Sequence, residues 1–248
     1  MRTLLLDADS VVYQVACAAS APIDFGDGIL CENSDSLENC KRSLDIRIQG
    51  FMELLEADRL VVCLTDRENF RKALYPEYKA NRKGKPLPPY LAELRTYLHE
   101  AYDVYQRPGL EADDVCSILA TDPELVPGEK IVVSIDKDFL SVPCNLFNPM
   151  HAVKGIQVIT TEMADRYHML QTLTGDSCDN YPGCKGIGPK KAAMVLDVVD
   201  KENWWPCIVA LFRGLSGICP LTQARVARIL RASDFDFTEK KPILWNPK

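Results

Sequence analysis

Two aspartates, Asp176 and Asp179, stand three residues apart directly before a glycine-rich stretch. One helical turn would present both carboxylates on the same face, where they could hold a metal ion together. The stretch that follows contains three glycines, a proline and two lysines: Gly183, Gly186, Gly188, Pro189, Lys190 and Lys191. Glycines allow close backbone approach, and a helix N-terminus offers free N–H groups to a phosphate. Carboxylates beside such a turn indicate a nuclease.

The elements that must position further carboxylates are three short apolar runs, each followed by an aspartate. The runs with their aspartates are 3–6 with Asp7, 60–65 with Asp66, and 131–135 with Asp136. Continuous apolar runs are typical of parallel strands buried on both faces. In open α/β sheets, the functional crevice lies beyond the carboxyl ends of the strands. We therefore predict an α/β fold with a central, mostly parallel sheet flanked by helices, which brings distant acids together.

Nine carboxylates are candidates for this crevice. They are Asp7, Asp66, Glu111, Asp113, Asp114, Asp136, Asp138, Asp176 and Asp179. Like charges in one crevice repel one another unless a cation compensates them, and oxygen ligands suit Mg²⁺ or Mn²⁺. Two such ions, about 3.5–4 Å apart, can activate a water and stabilise the leaving oxygen in phosphodiester hydrolysis. Each acid alone also has an ordinary explanation, since a strand-end aspartate or a Glu111–Asp114 cluster can simply cap a helix.

Residues 67–89 form a strongly basic stretch in which tyrosines lie among lysines and arginines. Lysine and arginine can pair with DNA phosphates, and tyrosine can stack on a base. A solvated loop is the alternative interpretation. The candidates for DNA binding here are Arg71, Tyr78, Lys79, Arg82 and Lys83.

The composition sets wider limits. A chain of 248 residues can form one large domain, or a domain with a subdomain. The net charge of −6 argues against a simple basic coat protein for nucleic acid but permits segregated basic patches. The ten cysteines include no Cys-x-x-Cys pair, so we expect reduced thiols and a cytoplasmic protein. No apolar run approaches the ~18–20 residues of a membrane span.

From about residue 160 to about 231 the pattern is helical. We predict a domain boundary near residue 160, with an α/β domain at 1–160 and a helical subdomain at 161–248. Near the C-terminus, Arg225, Arg228 and Arg231 are spaced by three, and we expect them on an exposed helix edge.

Taken in chain order, the acidic motifs resemble the metal-dependent 5′→3′ exonuclease and flap endonuclease family. The resemblance covers about residues 3–195. It is carried by Asp7, Asp66, Glu111-Ala-Asp-Asp114, Asp136-Lys-Asp138, and Gly-Asp176-x-x-Asp179-Asn followed by Gly-x-x-Gly-Ile-Gly. Tyr78-Lys-Ala-Asn-Arg-Lys83 and the C-terminal residues look most like the exonucleases of short-tailed bacteriophages.

The resemblance implies a PIN/flap-nuclease-like fold with two metal sites. The first would use Asp7, Asp66, Glu111, Asp113 and Asp114, and the second Asp136, Asp138, Asp176 and Asp179. Lys79 and Arg82 would contact the scissile phosphate from a basic arch at about 67–100, where Tyr78 would stack on DNA.

The glycine turn matches the family's helix–three-turn–helix element, placed at about 175–200. It would grip duplex phosphates through Gly186, Gly188, Lys190 and Lys191, and hold K⁺ through backbone carbonyls. The implied substrates are duplex DNA with a 5′ end or 5′ flap and an RNA·DNA hybrid, cleaved by a monomer in phage replication or recombination.

Two alternatives remain at this point. Asp7-Ala-Asp9-Ser10 and Gly175-Asp-Ser-Cys-Asp-Asn180 resemble the nucleophile and metal loops of a haloacid-dehalogenase-type phosphatase, which would leave Glu111–Asp114 without a role. A non-catalytic DNA-binding module would need the glycine turn but not nine carboxylates. Asp9 stands near a position where the family commonly has glycine, so it either reaches the metal or only caps a helix.

Overall fold

The computed structural model describes residues 1–20, 23–24, 30–31, 35–215 and 218–247. The strands are β1 (Arg2–Asp7), β2 (Ile23–Asp24), β3 (Leu30–Cys31), β4 (Arg59–Cys63), β5 (Val104–Tyr105), β6 (Glu129–Val133), β7 (Cys144–Phe147), β8 (Gln157–Ile159), β9 (Phe235–Asp236) and β10 (Lys241–Pro242). The α-helices are α1 (Ala8–Ala18), α2 (Leu37–Leu54), α3 (Phe70–Leu74), α4 (Leu91–Ala101), α5 (Ala112–Thr121), α6 (Thr161–Thr174), α7 (Pro189–Asp197), α8 (Trp204–Leu215) and α9 (Pro220–Ala227). Short 3₁₀ turns lie at Ala80–Arg82, Lys137–Ser141, Pro149–Lys154, Lys201–Asn203 and Ala232–Asp234.

A six-stranded sheet forms the centre, in the order β5-β4-β1-β6-β7-β8. Every neighbouring pair is parallel except β7 with β8, which is antiparallel at the edge. In the middle, Leu5 of β1 is in register with Val61 of β4 and Val132 of β6. The predicted mostly parallel α/β sheet is confirmed, because all three apolar runs form neighbouring strands.

Helices cover both faces of the sheet, and β1 shows why. Its Leu4 and Leu6 lie in one core with α1, α2 and α4, whereas Leu5 lies in a second core with α5. Successive strand residues point to opposite faces, so a run of three leucines serves two cores. The helix α4 belongs to this packing through Leu94 and Leu98, and residues 81–87 of the predicted arch are all exposed.

The helices α6, α7 and α8 enclose a third core built around Leu173, Leu196 and Phe212. The chain after α9 returns to the sheet, where Leu230 and Phe235 join the second core. Ile229, Leu230 and Phe235 therefore pack against the α/β region, although they follow the helical region in sequence.

The expected exposed arginine edge near the C-terminus is wrong. The helix α9 ends at Ala227, and Arg228 and Arg231 are buried. Arg228 pairs with Asp234 at 2.7 Å, and Arg231 pairs with Asp165 at 2.9 Å. The spacing of three suggested one helix face, but the helix stops before two of the three residues.

Among the described residues, no helix is both long and apolar enough to span a bilayer. The cysteines whose side chains are described are free thiols.

Candidate active site

Carboxylates from separate parts of the chain converge beyond the carboxyl end of the sheet. Asp7 is the last residue of β1, Glu111 caps α5, and Asp136 caps a 3₁₀ turn after β6. A cavity of about 10 Å³ is lined by three carboxylates, two tyrosines, one arginine and apolar residues: Asp113, Asp138, Asp179, Tyr78, Tyr181, Arg71, Val226, Ala227 and Ile229. Carboxylates expected at two different metal sites thus share the wall of one small space.

Asp7 lies at the floor of this site and is 7% exposed. The Ser134 hydroxyl donates a 2.7 Å hydrogen bond to Asp7 Oδ2. Burial, followed by repulsion from Asp136 and Glu111, raises the pKa of Asp7 to about 6 against the stabilising effect of Ser134. A carboxylate with a raised pKa gains from a nearby cation, which is the electrostatic condition of a metal ligand.

Glu111, Asp113 and Asp114 form the tightest acidic group of the described chain. One carboxylate oxygen from each lies within 4.8 Å of the other two. Burial and then the charges of Asp114 and Glu111 raise the pKa of Asp113 well above its ordinary value. Burial would also raise the pKa of Glu111, but Lys79 and Arg71 outweigh it and lower that pKa to about 2. The helix-cap interpretation is correct as well, because Glu111 N donates to Asp114 Oδ2 at 3.2 Å.

Asp114 belongs to this group by distance, yet both its oxygens are already bonded. Arg71 Nη1 and Nη2 donate to the two oxygens at 2.6 and 2.7 Å, and Leu230 N donates to Oδ1 at 3.0 Å. Asp114 is 0% exposed. A carboxylate so fully bonded has no free lone pair directed at the cavity. In the structure these hydrogen bonds make Asp114 the counter-ion of Arg71.

Arg71 is the counterpart of this arrangement and differs from expectation. It was predicted to contact DNA but is 2% exposed, with its guanidinium beneath the acidic group. Its Nε donates to Val226 O at 3.0 Å, and its Nη2 donates to Arg228 O at 2.6 Å. In this position Arg71 is not accessible to DNA and joins the acidic group to the end of α9 and to the residue after it.

Asp66 also lies apart from the acidic group. Gly109 N donates to its Oδ2 at 2.8 Å, and this bond is the main reason that the pKa of Asp66 is lowered. The strand β4 ends at Cys63, three residues before Asp66. In the structure, Asp66 holds the loop that leads into α5, because its backbone N–H also donates to Leu110 O at 2.9 Å.

The second half of the site is formed by Asp136, Asp138, Asp176 and Asp179. Lys137 bridges its two sides, with Nζ at 2.9 Å from Asp138 Oδ1 and 2.5 Å from Asp176 Oδ2. Burial and then the Asp136 charge raise the pKa of Asp138 to about 6. Burial acts likewise on Asp176, but the bond from Lys137 is the strongest of several contacts that bring its pKa below the ordinary value. The sequence analysis did not single out Lys137 or Ser134, although both stand within two residues of Asp136.

Lys79 lies between the two halves. Its ammonium pairs with Glu111 and lies 3.5 Å from Asp179 Oδ2. Arg82, which is largely exposed, pairs with Asp179 Oδ1 at 2.6 Å. Both cations therefore lie beside carboxylates of the site, Lys79 next to Glu111 and Asp179 and Arg82 next to Asp179.

Tyr78 is not placed for stacking on DNA. Its side chain is 3% exposed, and its hydroxyl donates to Glu111 Oε2 at 2.7 Å and to Asp179 Oδ2 at 2.9 Å. A base cannot reach a ring enclosed in this way. Tyr78 instead connects carboxylates from the two halves of the site.

Of the helix–turn–helix expected at about 175–200, the turn and α7 lie within that range, whereas the preceding helix α6 ends before it, at Thr174. Gly188 is the N-cap of α7 and Pro189 follows as its first residue. Lys190 and Lys191 are exposed at this helix start, and Lys83 is exposed in the 81–87 segment. The turn itself depends on Gly175 and Gly183, whose close approach leaves no room for a Cβ on either residue.

Asp9 has a structural partner. It pairs with Arg95 of α4 and accepts a 2.9 Å hydrogen bond from Thr65 N. This arrangement joins α1 to the end of β4 and leaves no acid/base role of the phosphatase kind. The loop of Asp176 follows the helix α6, whereas the phosphatase interpretation requires a preceding strand.

A family model described as the 5′-3′ exonuclease, N-terminal resolvase-like domain matches residues 2–169. The chain belongs to this family. It is accordingly a hydrolase of the 5′→3′ exonuclease and flap endonuclease class, and the phosphatase and the non-catalytic module are both excluded.

Individual relatives agree with this assignment. The exonuclease of Escherichia phage T7 is 29% identical over 285 residues, which covers 98% of this chain and 93% of that protein. The flap endonuclease Xni of Shewanella halifaxensis is 38% identical over 147 residues, covering 54% of this chain and 56% of that protein. A bacteriophage T5 flap endonuclease, solved with DNA and metal ions, superposes with a TM-score of 0.63 at 16% identity, covering 92% and 89% of the two chains. At that identity the superposition supports the fold.

The described residues fit divalent metal ions. The donors are carboxylate oxygens, which are the ligands that Mg²⁺ and Mn²⁺ prefer. The pKa values of Asp7, Asp113 and Asp138 are raised mainly by burial, and repulsion from neighbouring carboxylates adds to it. A cation between these carboxylates would remove that repulsion.

Proposed function

We propose that this protein hydrolyses phosphodiester bonds at the 5′ ends and 5′ flaps of duplex DNA with two Mg²⁺ ions, and also removes RNA from RNA·DNA hybrids. The observation that carries the proposal is the position of Lys79, whose ammonium joins Glu111 of one carboxylate half to Asp179 of the other. A scissile phosphate at this point would meet both halves together.

The ligands proposed for the first ion are Asp7, Glu111 and Asp113. Those proposed for the second are Asp136, Asp138, Asp176 and Asp179. Asp66 and Asp114 support the first set, because their oxygens accept hydrogen bonds from Gly109, Arg71 and Leu230. When bound, the metal ions supply a water of lowered pKa and positive charge at the leaving oxygen.

The chain's own side chains orient the substrate and neutralise its charge. Lys79 and Arg82 offer two cations to the phosphate, and each stands beside a carboxylate that a metal ion would otherwise compensate. Charge held in a fixed place where negative charge develops stabilises the transition state without reorganisation. We assign Lys79 to the scissile phosphate and Arg82 to its neighbour.

The turn between α6 and α7 is proposed to bind duplex DNA together with the two lysines at the start of α7. Backbone N–H groups at Gly186 and Gly188, with the side chains of Lys190 and Lys191, suit two adjacent phosphates. The carbonyls of the same turn are proposed to hold K⁺. We place the enzyme as a monomer in the cytoplasm of a phage-infected cell, in replication or recombination, as supported by its similarity to the phage T7 exonuclease.

A cleavage assay with mapped products tests this function. The full chain is incubated with 5′-flap DNA, blunt duplex and RNA·DNA hybrid, either with Mg²⁺ or with a chelator. We expect products from the 5′ side with Mg²⁺ alone, and a single-turnover rate about 10²–10³-fold lower in Lys79→Ala. Lys154→Ala, which changes an exposed lysine outside the site, is the matched control. Cleavage in chelator, or degradation from 3′ ends, would contradict the proposal.

A further inference from the structure

Two segments of the site are joined by more hydrogen bonds than their catalytic residues require. We call residues 77–82 the basic segment and residues 176–181 the acidic loop. Lys79 N donates to Asp179 O at 2.9 Å. The side-chain amide of Asn180 in the acidic loop donates to Glu77 O of the basic segment at 2.7 Å.

A second amide makes the reciprocal contact. Asn81 Nδ2 donates to Ser177 O at 3.0 Å and to Cys178 O at 3.3 Å. Each segment therefore sends one asparagine side chain to the backbone of the other. Neither amide bonds to a carboxylate of the site, so their contacts fix the backbones without altering the charge.

The backbone at the junction is strained. Lys79 has φ 55° and Asn180 has φ 60°, so two residues with side chains adopt the left-handed conformation on either side of it. Asparagine tolerates this conformation, but a long side chain such as lysine adopts it only when its surroundings hold it there. The backbones on either side of Lys79 are held by the contacts of Asn81, Asn180 and Asp179 O, and its ammonium is held by Glu111 and Asp179.

We propose that Asn81 and Asn180 are positioning residues that keep Lys79 in its left-handed backbone conformation, and so keep its ammonium between the two carboxylate halves. This inference rests on the phosphate-binding role proposed for Lys79. Without the two amides, Lys79 would relax to a right-handed or extended conformation and direct its side chain away from Glu111.

The hydrogen bonds between these two segments, which we call the clasp, also connect Lys79 to the turn between α6 and α7. The acidic loop closes on itself through Asp176 and Tyr181, whose backbones exchange hydrogen bonds of 2.9 and 3.1 Å. Gly183, two residues beyond Tyr181, lies in the turn that leads into α7, where Lys190 and Lys191 stand in the first helical turn. A duplex held by the turn is thereby placed at a fixed distance from Lys79.

Single-turnover kinetics on a 5′-flap DNA with Mg²⁺ test the clasp in the full chain. The variants are Asn81→Ala and Asn180→Gly, since glycine keeps the left-handed backbone and removes only the amide. We expect the rate at saturating enzyme to fall about 10- to 100-fold in each variant, with DNA affinity changed by less than about threefold. Asn203→Ala, an exposed asparagine outside both segments, serves as the control and should match the wild type.

A double-mutant cycle separates positioning from a general structural effect. If the asparagines act through Lys79, the double variant Lys79→Ala/Asn81→Ala should cleave less than about twofold more slowly than Lys79→Ala alone, because the two effects are then not additive. A full additional loss in that background, or unchanged rates in both single variants, would overturn the inference.

Hydrogen exchange of the metal-free protein provides a readout independent of cleavage. The amides of residues 77–82 should exchange about tenfold faster in Asn81→Ala and Asn180→Gly, with β1 unaffected. If Lys79→Ala itself cleaves normally, the proposed role of Lys79 fails and the clasp is only structural. If Lys79→Ala is slow while the two asparagine variants exchange and cleave normally, the function stands and the positioning role is refuted.

Discussion

Arg71 holds Asp114 through two parallel hydrogen bonds of 2.6 and 2.7 Å, with both side chains buried below the carboxylate site. The pair explains how a group of acids can be packed at the start of α5 without unfolding it. The Arg71 guanidinium compensates the charge of Asp114, so fewer carboxylate charges remain for metal ions to compensate.

We predict that Asp114→Ala destabilises the metal-free protein by about 3–5 kcal/mol, because it leaves the Arg71 guanidinium buried without a counter-ion. Asp113→Asn, one residue away, should instead raise stability, because it removes repulsion between close carboxylates. Urea denaturation in chelator measures both changes. Calorimetric titration with Mn²⁺ should show weakened binding in Asp113→Asn. A stable Asp114→Ala that no longer binds Mn²⁺ would make Asp114 a ligand after all.

The turn between α6 and α7 should respond very differently to two glycine substitutions. A Cβ on Gly183 would lie 2.3 Å from Gly175 N and 2.6 Å from Leu173 O, with φ at +62°. In Gly183→Ala, the strained backbone and the overlap of the new Cβ with neighbouring backbone atoms should together lower the free energy of unfolding by more than about 3 kcal/mol. Gly186 also has positive φ but has open space around its Cβ position, so Gly186→Ala should cost only about 1–2 kcal/mol. Thermal or urea denaturation checks the difference, and equal costs would refute the close approach.

The two lysines at the start of α7 should act on DNA affinity through phosphate charge alone. Each of Lys190→Ala and Lys191→Ala should reduce the slope of log affinity against log salt by about 0.9. The loss should be the same for different duplex sequences. Fluorescence anisotropy with a chelator, across a salt series, gives the slopes. A variant with an unchanged slope would remove that lysine from the interface, and Lys154→Ala supplies the reference.

His168 should make the fold sensitive to acid. It is buried, and its Nε2 lies 2.7 Å from Ala224 O. Burial, followed by the charge of Arg228, lowers its pKa to about 3, against about 6.5 in an unfolded chain. The unfolded state therefore takes up a proton first as the pH falls, so stability is lost from about pH 6.5 downward, by about 2 kcal/mol at pH 5. Urea denaturation at pH 7.5 and pH 5 measures this loss.

The matched variant is His168→Gln, whose amide can still donate to Ala224 O but does not titrate. Its stability should change less between pH 7.5 and pH 5 than that of the wild type. An identical pH dependence in the two proteins would assign the acid sensitivity to other groups.

The sheet could be predicted from local pattern because a strand buried on both faces must be apolar throughout. The runs before Asp7, Asp66 and Asp136 met that condition, and all three are adjacent strands. The acidic cluster was also visible, because Glu111, Asp113 and Asp114 are close in sequence and remain close on one helical turn.

The partners of these residues could not be predicted. Arg71 and Tyr78 lie in a basic, aromatic stretch that is typical of DNA contact, yet both are buried against acids. Their burial depends on Val226 and Arg228, which are about 150 residues away in sequence and whose carbonyls accept from Arg71. Local composition carries no information about such a long-range contact.

The sequence by itself determined which chemistry is possible: carboxylates after apolar strands, a glycine turn before two lysines, and lysine and arginine in a basic stretch. Only the tertiary structure decided which of these groups line the carboxylate site and which serve as counter-ions. The physical reason is that a charge may be buried only with a compensating partner, and that partner is chosen by packing in space, not by position along the chain.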